Sequence, residues 1–98
     1  MYAVLQCYKL NPADAAELPH QLADTWGPLL RRLPGFVTYY WVATSTTTGV
    51  AFCTFEDQDS ATAALAHLPN LGPAWITERL DAAETLAGAI TVYANAGL

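Results

Sequence analysis

Hydrophobic and polar positions along this chain change their spacing from segment to segment. From Tyr2 to Leu10, Tyr2, Val4, Tyr8 and Leu10 occupy one parity and Ala3, Leu5 and Cys7 the other. Apolar residues on both parities predict a strand covered on both faces. Asn11-Pro12 ends that run, and Asp14 is a candidate N-cap for a helix. Leu18, Leu22, Trp26, Leu29, Leu30 and Leu33 then recur at intervals of four, four, three, one and three, which traces one stripe of that helix. Pro19 suits a first turn, Gly27-Pro28 predicts a kink before the last turn, and Pro34-Gly35 is a stop.

Phe36 to Thr44 is a strand by composition, Ser45 to Gly49 a turn, and Val50 to Phe55 the return strand of a hairpin. The acidic stretch from Glu56 to Ser60 favours a helix start ahead of Ala61 to Leu68. Pro69 to Pro73 breaks the helical pattern. A second helical piece is expected after it, with Trp75, Ile76, Leu80 and Ala83 on one face, and Gly88 precedes a last strand from Ala89 to Ala94.

The order β-α-β-β-α-β is the ferredoxin-like, α+β motif, expected here as one domain over residues 1–98. Right-handed crossovers place both helices on one face of an antiparallel sheet. The uncovered face should then alternate with polar residues. It does not: Val37, Tyr39, Trp41 and Ala43 share one parity of the second strand, and Phe36, Thr38, Tyr40 and Val42 the other. A second copy of the chain is the expected cover, in a two-fold pair. At ~25 cal/mol/Å², covering ~600 Å² per subunit contributes ~15 kcal/mol before association costs.

Composition supports that expectation. Of 98 residues, 53% are hydrophobic and 13% charged, about half the usual ~25% charged. Disorder is excluded, and few charges remain to cover a small monomer. Nine acids against four bases give a net charge of −5, which argues against binding nucleic acid through its phosphates. No apolar stretch approaches the ~18 residues of a membrane span, and no signal-peptide pattern is present. Cys7 and Cys53 lie within strand-like runs and read as buried thiols. The expected compartment is the cytoplasm.

Several segments resemble the antibiotic biosynthesis monooxygenase family. They are Asn11-Pro-Ala-Asp through Leu18, Trp26-Gly-Pro-Leu-Leu-Arg-Arg-Leu-Pro-Gly-Phe36, Gly49-Val-Ala-Phe-Cys-Thr-Phe-Glu-Asp57, and Trp75-Ile-Thr-Glu-Arg-Leu80 with a strand entered through Gly88. Leu33-Pro34-Gly35-Phe36 is the most recognisable of these. The resemblance implies a dimeric α/β barrel, with each subunit keeping a cavity between sheet and helices. Some members are cofactor-free oxygenases, in which a deprotonated, electron-rich substrate passes an electron to O2. Such chemistry needs a dry pocket and a group that stabilises the anion. The anion-handling Asn and Trp of those relatives fall near Ala51 and Phe55, and a helix tyrosine near Thr62. In the haem-degrading branch, the strand Asn, helix Trp and axial His fall near Cys7, Ala64 and Ala74, so haem would lack a proximal anchor.

Other chemistry is sparse. His20 and His67 have no ligand at metal-site spacing, and the Glu56, Asp57, Asp59 cluster lacks a calcium-loop pattern. Ser45 and Ser60 lie in no nucleophile motif, and no glycine-rich phosphate loop follows a strand. The candidate substrate-binding residues are therefore aromatic, Trp26 and Trp75, with Tyr40 and His67 as the candidate hydrogen-bonding or proton-accepting groups. Parity alone divides Tyr40 from Tyr39 weakly. Two functions stay open: a cofactor-independent monooxygenase for an aromatic or polyketide-like compound, and a non-catalytic homodimer that binds a small apolar ligand or serves structurally.

Overall fold

The computed structural model describes residues 1–71 and 81–94. Strands β1 (Tyr2–Lys9), β2 (Phe36–Ala43), β3 (Thr48–Phe55) and β4 (Asp81–Ala89) form an antiparallel sheet in the order β2-β3-β1-β4. Helix α1 (18–30) joins β1 to β2, and α2 (Gln58–Leu71) follows β3. Leu18 and Leu22 of α1 pack with Trp41, while Ala61 and Ala64 of α2 pack with Val4, Cys53 and Phe55. Tyr39 joins the second of these clusters. Trp41 and Tyr39 share a parity of β2, so both helices lie on one face of the sheet.

Asp14 is not the expected N-cap: the first helix is entered through Glu17 with no side-chain cap, and side-chain capping falls earlier, to Asn11. Its side chain accepts a hydrogen bond from the Ala13 amide at 3.0 Å and starts a short 3-10 turn over Pro12–Asp14. Helix α1 then begins at Leu18 with Pro19 in its first turn. The kink expected at Gly27-Pro28 takes the form of one wide π turn over Leu22–Trp26. There the Gly27 amide donates to the Leu22 carbonyl, five residues back. Pro28 has no amide proton to continue the regular ladder, and widening the turn accommodates that loss. The leucine stripe survives: Leu18, Leu22 and Leu30 are fully buried.

Gly35 ends this unit with φ of +74°, the left-handed region that glycine enters without steric cost. A Cβ there would run into the Ser60 side chain, and the Gly35 carbonyl accepts from the Glu56 amide at 2.8 Å. The α1–β2 junction is thereby clamped to the start of α2. Ser60 in turn donates its amide to the Asp57 carboxylate at 2.8 Å, an N-cap that holds the Asp57 pKa below its ordinary value.

Two strand features differ from the sequence pattern. A register shift between Phe36 and Thr38 turns Phe36 to the face of Tyr39, where it meets Phe55 edge-on, with ring centroids 6.1 Å apart. More substantially, the last strand is Asp81–Ala89, not 89–94. Its residues are largely helix formers, yet it pairs with β1 from Tyr2↔Ala89 to Lys9↔Asp81. Ladder hydrogen bonds along β1 outweigh local propensity there. The β-prone run after it is not part of the sheet; the Ile90 amide donates to the Met1 carbonyl, and Val92 and Tyr93 are exposed. Ala83 is accordingly in a strand rather than a helix, whereas Trp75, Ile76 and Leu80 lie outside the described residues. Helix α2 also passes Pro69 and reaches Leu71.

The face away from the helices carries Leu5, Cys7, Tyr40, Val42, Val50, Phe52 and Leu86 by strand alternation and register. Tyr40 is 58% exposed, Val42 49% and Leu86 50%. The Tyr40 and Phe52 rings lie 6.1 Å apart on this face.

Candidate functional site

Alternation sets the chemistry on the helix side of the sheet. Gln6 and Tyr8 of β1, Tyr39 and Trp41 of β2, and Ala51 and Cys53 of β3 all face it. The Tyr8 hydroxyl donates to Gln6 Oε1 at 2.6 Å. Its ring lies 6.1 Å from that of Trp41, tilted by 38°. Trp41 pairs with Ala51 and needs a glycine at Gly49, diagonally across the ladder, since a Cβ at that position would collide with the indole. The missing side chain lets the indole lie across β3 toward Tyr8.

Burial governs the protonation of this cluster. It pushes the Tyr8 phenol up to about 12 and the Cys53 thiol up to about 12, and raises Tyr39 further still. The neighbouring Cys53 adds to the shift at both tyrosines, because a second negative charge beside it is unfavourable. At neutral pH the cluster is uncharged, and its phenols act as hydrogen-bond donors rather than bases. Cys53, buried and protonated, is no nucleophile.

A cleft of about 570 Å³ opens beside this cluster, between α1 and the edge strand β2. Leu22, Ala23, Gly27 and Arg31 line it from the helix, and residues 36–41 from the strand. Tyr39 and Trp41 belong both to the cleft wall and to the helix-side cluster. Arg31 is the cationic residue of that lining, and Thr38 adds a hydroxyl to its apolar and aromatic members. Among the described residues no group of His, Cys, Asp and Glu could hold a metal ion.

The residues nominated by the sequence are spread out. Tyr40 borders the cleft from the edge strand, but its ring lies over Phe52 on the face away from the helices. Weak parity chose it over Tyr39, and the register decides the other way: Tyr39 points toward the helices. Trp26 packs against Leu18 and Leu22. His67 is exposed on α2, and Trp75 lies outside the described residues. Gln6 and Tyr8 were missed. Their signal is present in Tyr2-Val4-Gln6-Tyr8, where one parity of an apolar strand turns polar at its far end.

Comparison with known proteins identifies the fold. The chain is similar to HapK from Hahella chejuensis, with a TM-score of 0.80 at 17% identity over 99% of this chain and 100% of that one. It is similar to the N63A mutant of SnoaB, a cofactor-independent oxygenase from Streptomyces nogalater, with a TM-score of 0.68 at 18% identity over 94% of each chain. A candidate antibiotic biosynthesis monooxygenase from Chloroflexus aurantiacus matches with a TM-score of 0.70 at 15% identity over 98% of each chain. The fold is therefore that of the antibiotic biosynthesis monooxygenases, a ferredoxin-like α+β arrangement, as the resemblance implied. The RNA recognition motif family also matches residues 34–72. Those residues hold β2, β3 and α2, a β-β-α unit that ferredoxin-like folds share. No curated protein matches the sequence.

Proposed function

We propose that this chain is a homodimeric, cofactor-independent oxygenase of a flat phenolic or enolic compound, of aromatic or polyketide-like type. The observation that carries the reading is the uncharged, partly desolvated cluster of Gln6, Tyr8, Tyr39 and Trp41 beside an aromatic cleft. A substrate C–H that lies between two aromatic rings and is conjugated with a carbonyl loses its proton to solvent, and the resulting anion passes one electron to O2. Recombination of the two radicals forms a C–O bond, the peroxide takes a proton back from solvent, and loss of water leaves a carbonyl. An anthrone and O2 thus give an anthraquinone and water. Neutral donors in a partly desolvated cluster favour such an anion. The wall of Tyr39 and Trp41 offers ring faces to a planar substrate.

The dimer belongs to the same reading. Leu5, Val42, Phe52 and Leu86 make the outer face apolar, and a second copy stacked on it would bury that area. A nucleic acid is a poor partner for that face: nine acids oppose four bases, and of its residues on β1 only Lys9, at the strand end, is cationic. No helix among the described residues is long and apolar enough to cross a membrane. The compartment proposed is the cytoplasm, which suits the free thiols of Cys7 and Cys53.

The test is oxygen uptake with 1,8-dihydroxyanthrone, compared with an anaerobic control. Uptake above the buffer rate, slowed in Tyr39→Phe and Trp41→Ala, supports the oxygenase. Binding of the anthrone without any catalysed uptake would instead favour a non-catalytic ligand-binding dimer, whose support in the structure is the lack of a charged base within the cluster.

A further inference from the structure

We infer that Arg31 selects the substrate by charge: the cleft takes a flat aromatic compound with a carboxylate at one end, and the Arg31 guanidinium holds that carboxylate. The inference rests on the oxygenase reading for the ring system and on the cleft itself for the charge.

The spacing along α1 shapes the cleft. Pro19, Ala23, Gly27 and Arg31 recur every four residues, each one position away from the leucine stripe that packs on the sheet. All four line the cleft. The first three are small, so they leave room above the strand, and Tyr39 and Trp41 supply ring faces opposite. Arg31 is the long, polar member of that row. Its position at one end follows from the antiparallel run of α1 and β2: Leu18 and Leu22 pack with Trp41, whereas Arg31 adjoins the Pro34-Gly35 turn that leads into Phe36. From Leu22 to Arg31 the helix advances roughly 12 Å. A three-ring aromatic stacked on Trp41 and Tyr39 therefore brings a substituent on its far ring to Arg31.

The chemistry at that end suits a carboxylate. The Arg31 amide donates to the Gly27 carbonyl at 3.1 Å, which fixes the base of the side chain in helical geometry. A guanidinium stays charged at any working pH and offers paired N–H donors to both carboxylate oxygens. No Asp or Glu is among the described residues that line the cleft, and Arg31 has no ion pair with a described residue. Asp24 on α1 and Glu56 beside Gly35 lie outside the lining. The Thr38 hydroxyl is engaged by that of Thr54 at 2.6 Å, which leaves Arg31 as the charged contact. A chain of net charge −5 repels anions in general. A lone cation facing two aromatic rings thus favours an acid that is also flat.

The probes are anthraquinone-2-carboxylate and its neutral carboxamide, each titrated against quenching of tryptophan emission at low salt. Arg31 is exposed and partly screened by water, so wild type should bind the carboxylate about fivefold more tightly than the carboxamide. Arg31→Met keeps the apolar stem and should abolish that preference while binding the carboxamide as wild type does. Arg31→Lys, which lacks the fork, should keep about twofold. Arg32→Met removes the same charge from outside the lining and should leave the preference intact. Equal affinities in wild type, a preference that survives Arg31→Met, or an equal loss in Arg32→Met overturns the assignment. Binding of neither probe overturns it together with the aromatic cleft. Oxygen uptake with the anthrone separates the two proposals. Carboxylate preference without uptake removes the oxygenase and keeps Arg31 as the group that recognises an acid, whereas uptake with equal probe affinities removes Arg31 and keeps the oxygenase.

Discussion

Tyr39 and Tyr40 are neighbours in sequence and occupy opposite worlds. Tyr39 faces the helices, packs against Val4, Cys53 and Phe55, and has its phenol raised by burial. Tyr40 faces outward, 58% exposed, with its ring beside Phe52. The two faces of the sheet are almost equally apolar, yet the described helices cover only one. Hydrophobicity therefore reports that a surface needs cover, and not which element supplies it. On the helix side, cover comes from small residues: Ala61 and Ala64 let α2 lie close over Val4 and Cys53. On the outer side, rings and branched chains stand ready for a partner of similar shape.

The sharpest way to break this contrast is a charge on the outer face. Phe52→Glu should leave the subunit folded by circular dichroism and halve the mass seen by light scattering; an unchanged mass would remove the outer face from the dimer. Phe55→Ala, further along the same strand, acts on the inner side instead. Phe55 is 1% exposed, and truncation should cost ~3–5 kcal/mol in urea denaturation. Phe52→Ala, read at dilutions where subunits separate, should cost less than half of that.

Gly49→Val tests the packing of Trp41, because the new side chain must displace the indole. The loss should be ~1–3 kcal/mol, with a red shift of tryptophan emission. Alkali tests the buried phenols. Tyr8 titrates near 12 in the fold rather than near 10, so its protonated state is favoured by folding. Its contribution is complete below pH 10 and is lost as pH rises toward 12. Tyr8→Phe should flatten that part of the stability profile, followed by tyrosinate absorbance. The smallest effect separates the thiols. Cys7, half-buried on the outer face, should react with a thiol reagent in the native state, and Cys53, buried and raised to about 12, only after unfolding. Dimer formation should slow Cys7 and leave Cys53 unchanged.

Much of the architecture was legible from local signals. The leucine stripe, the Pro34-Gly35 stop and the β2–β3 hairpin all arise from residues close in sequence, and the structure carries each of them. The last strand was not legible, because Asp81–Ala89 is helix-forming by composition and becomes a strand only through its ladder to β1. The site was read in part. Its aromatic character followed from composition, but one residue of register decides between Tyr39 and Tyr40, and one irregularity at Val37 shifts Phe36 to the inner face.

Sequence by itself determined the order of elements, the demand for cover on both sheet faces and the scarcity of charge. These follow from periodicity and composition, which are properties of the chain before it folds. Only the tertiary structure decided which parity points toward the helices, and with it the meeting of Tyr8 with Gln6 and of Trp41 with Gly49. Strand pairing has a period of two, so a single step of register exchanges every inward side chain for an outward one.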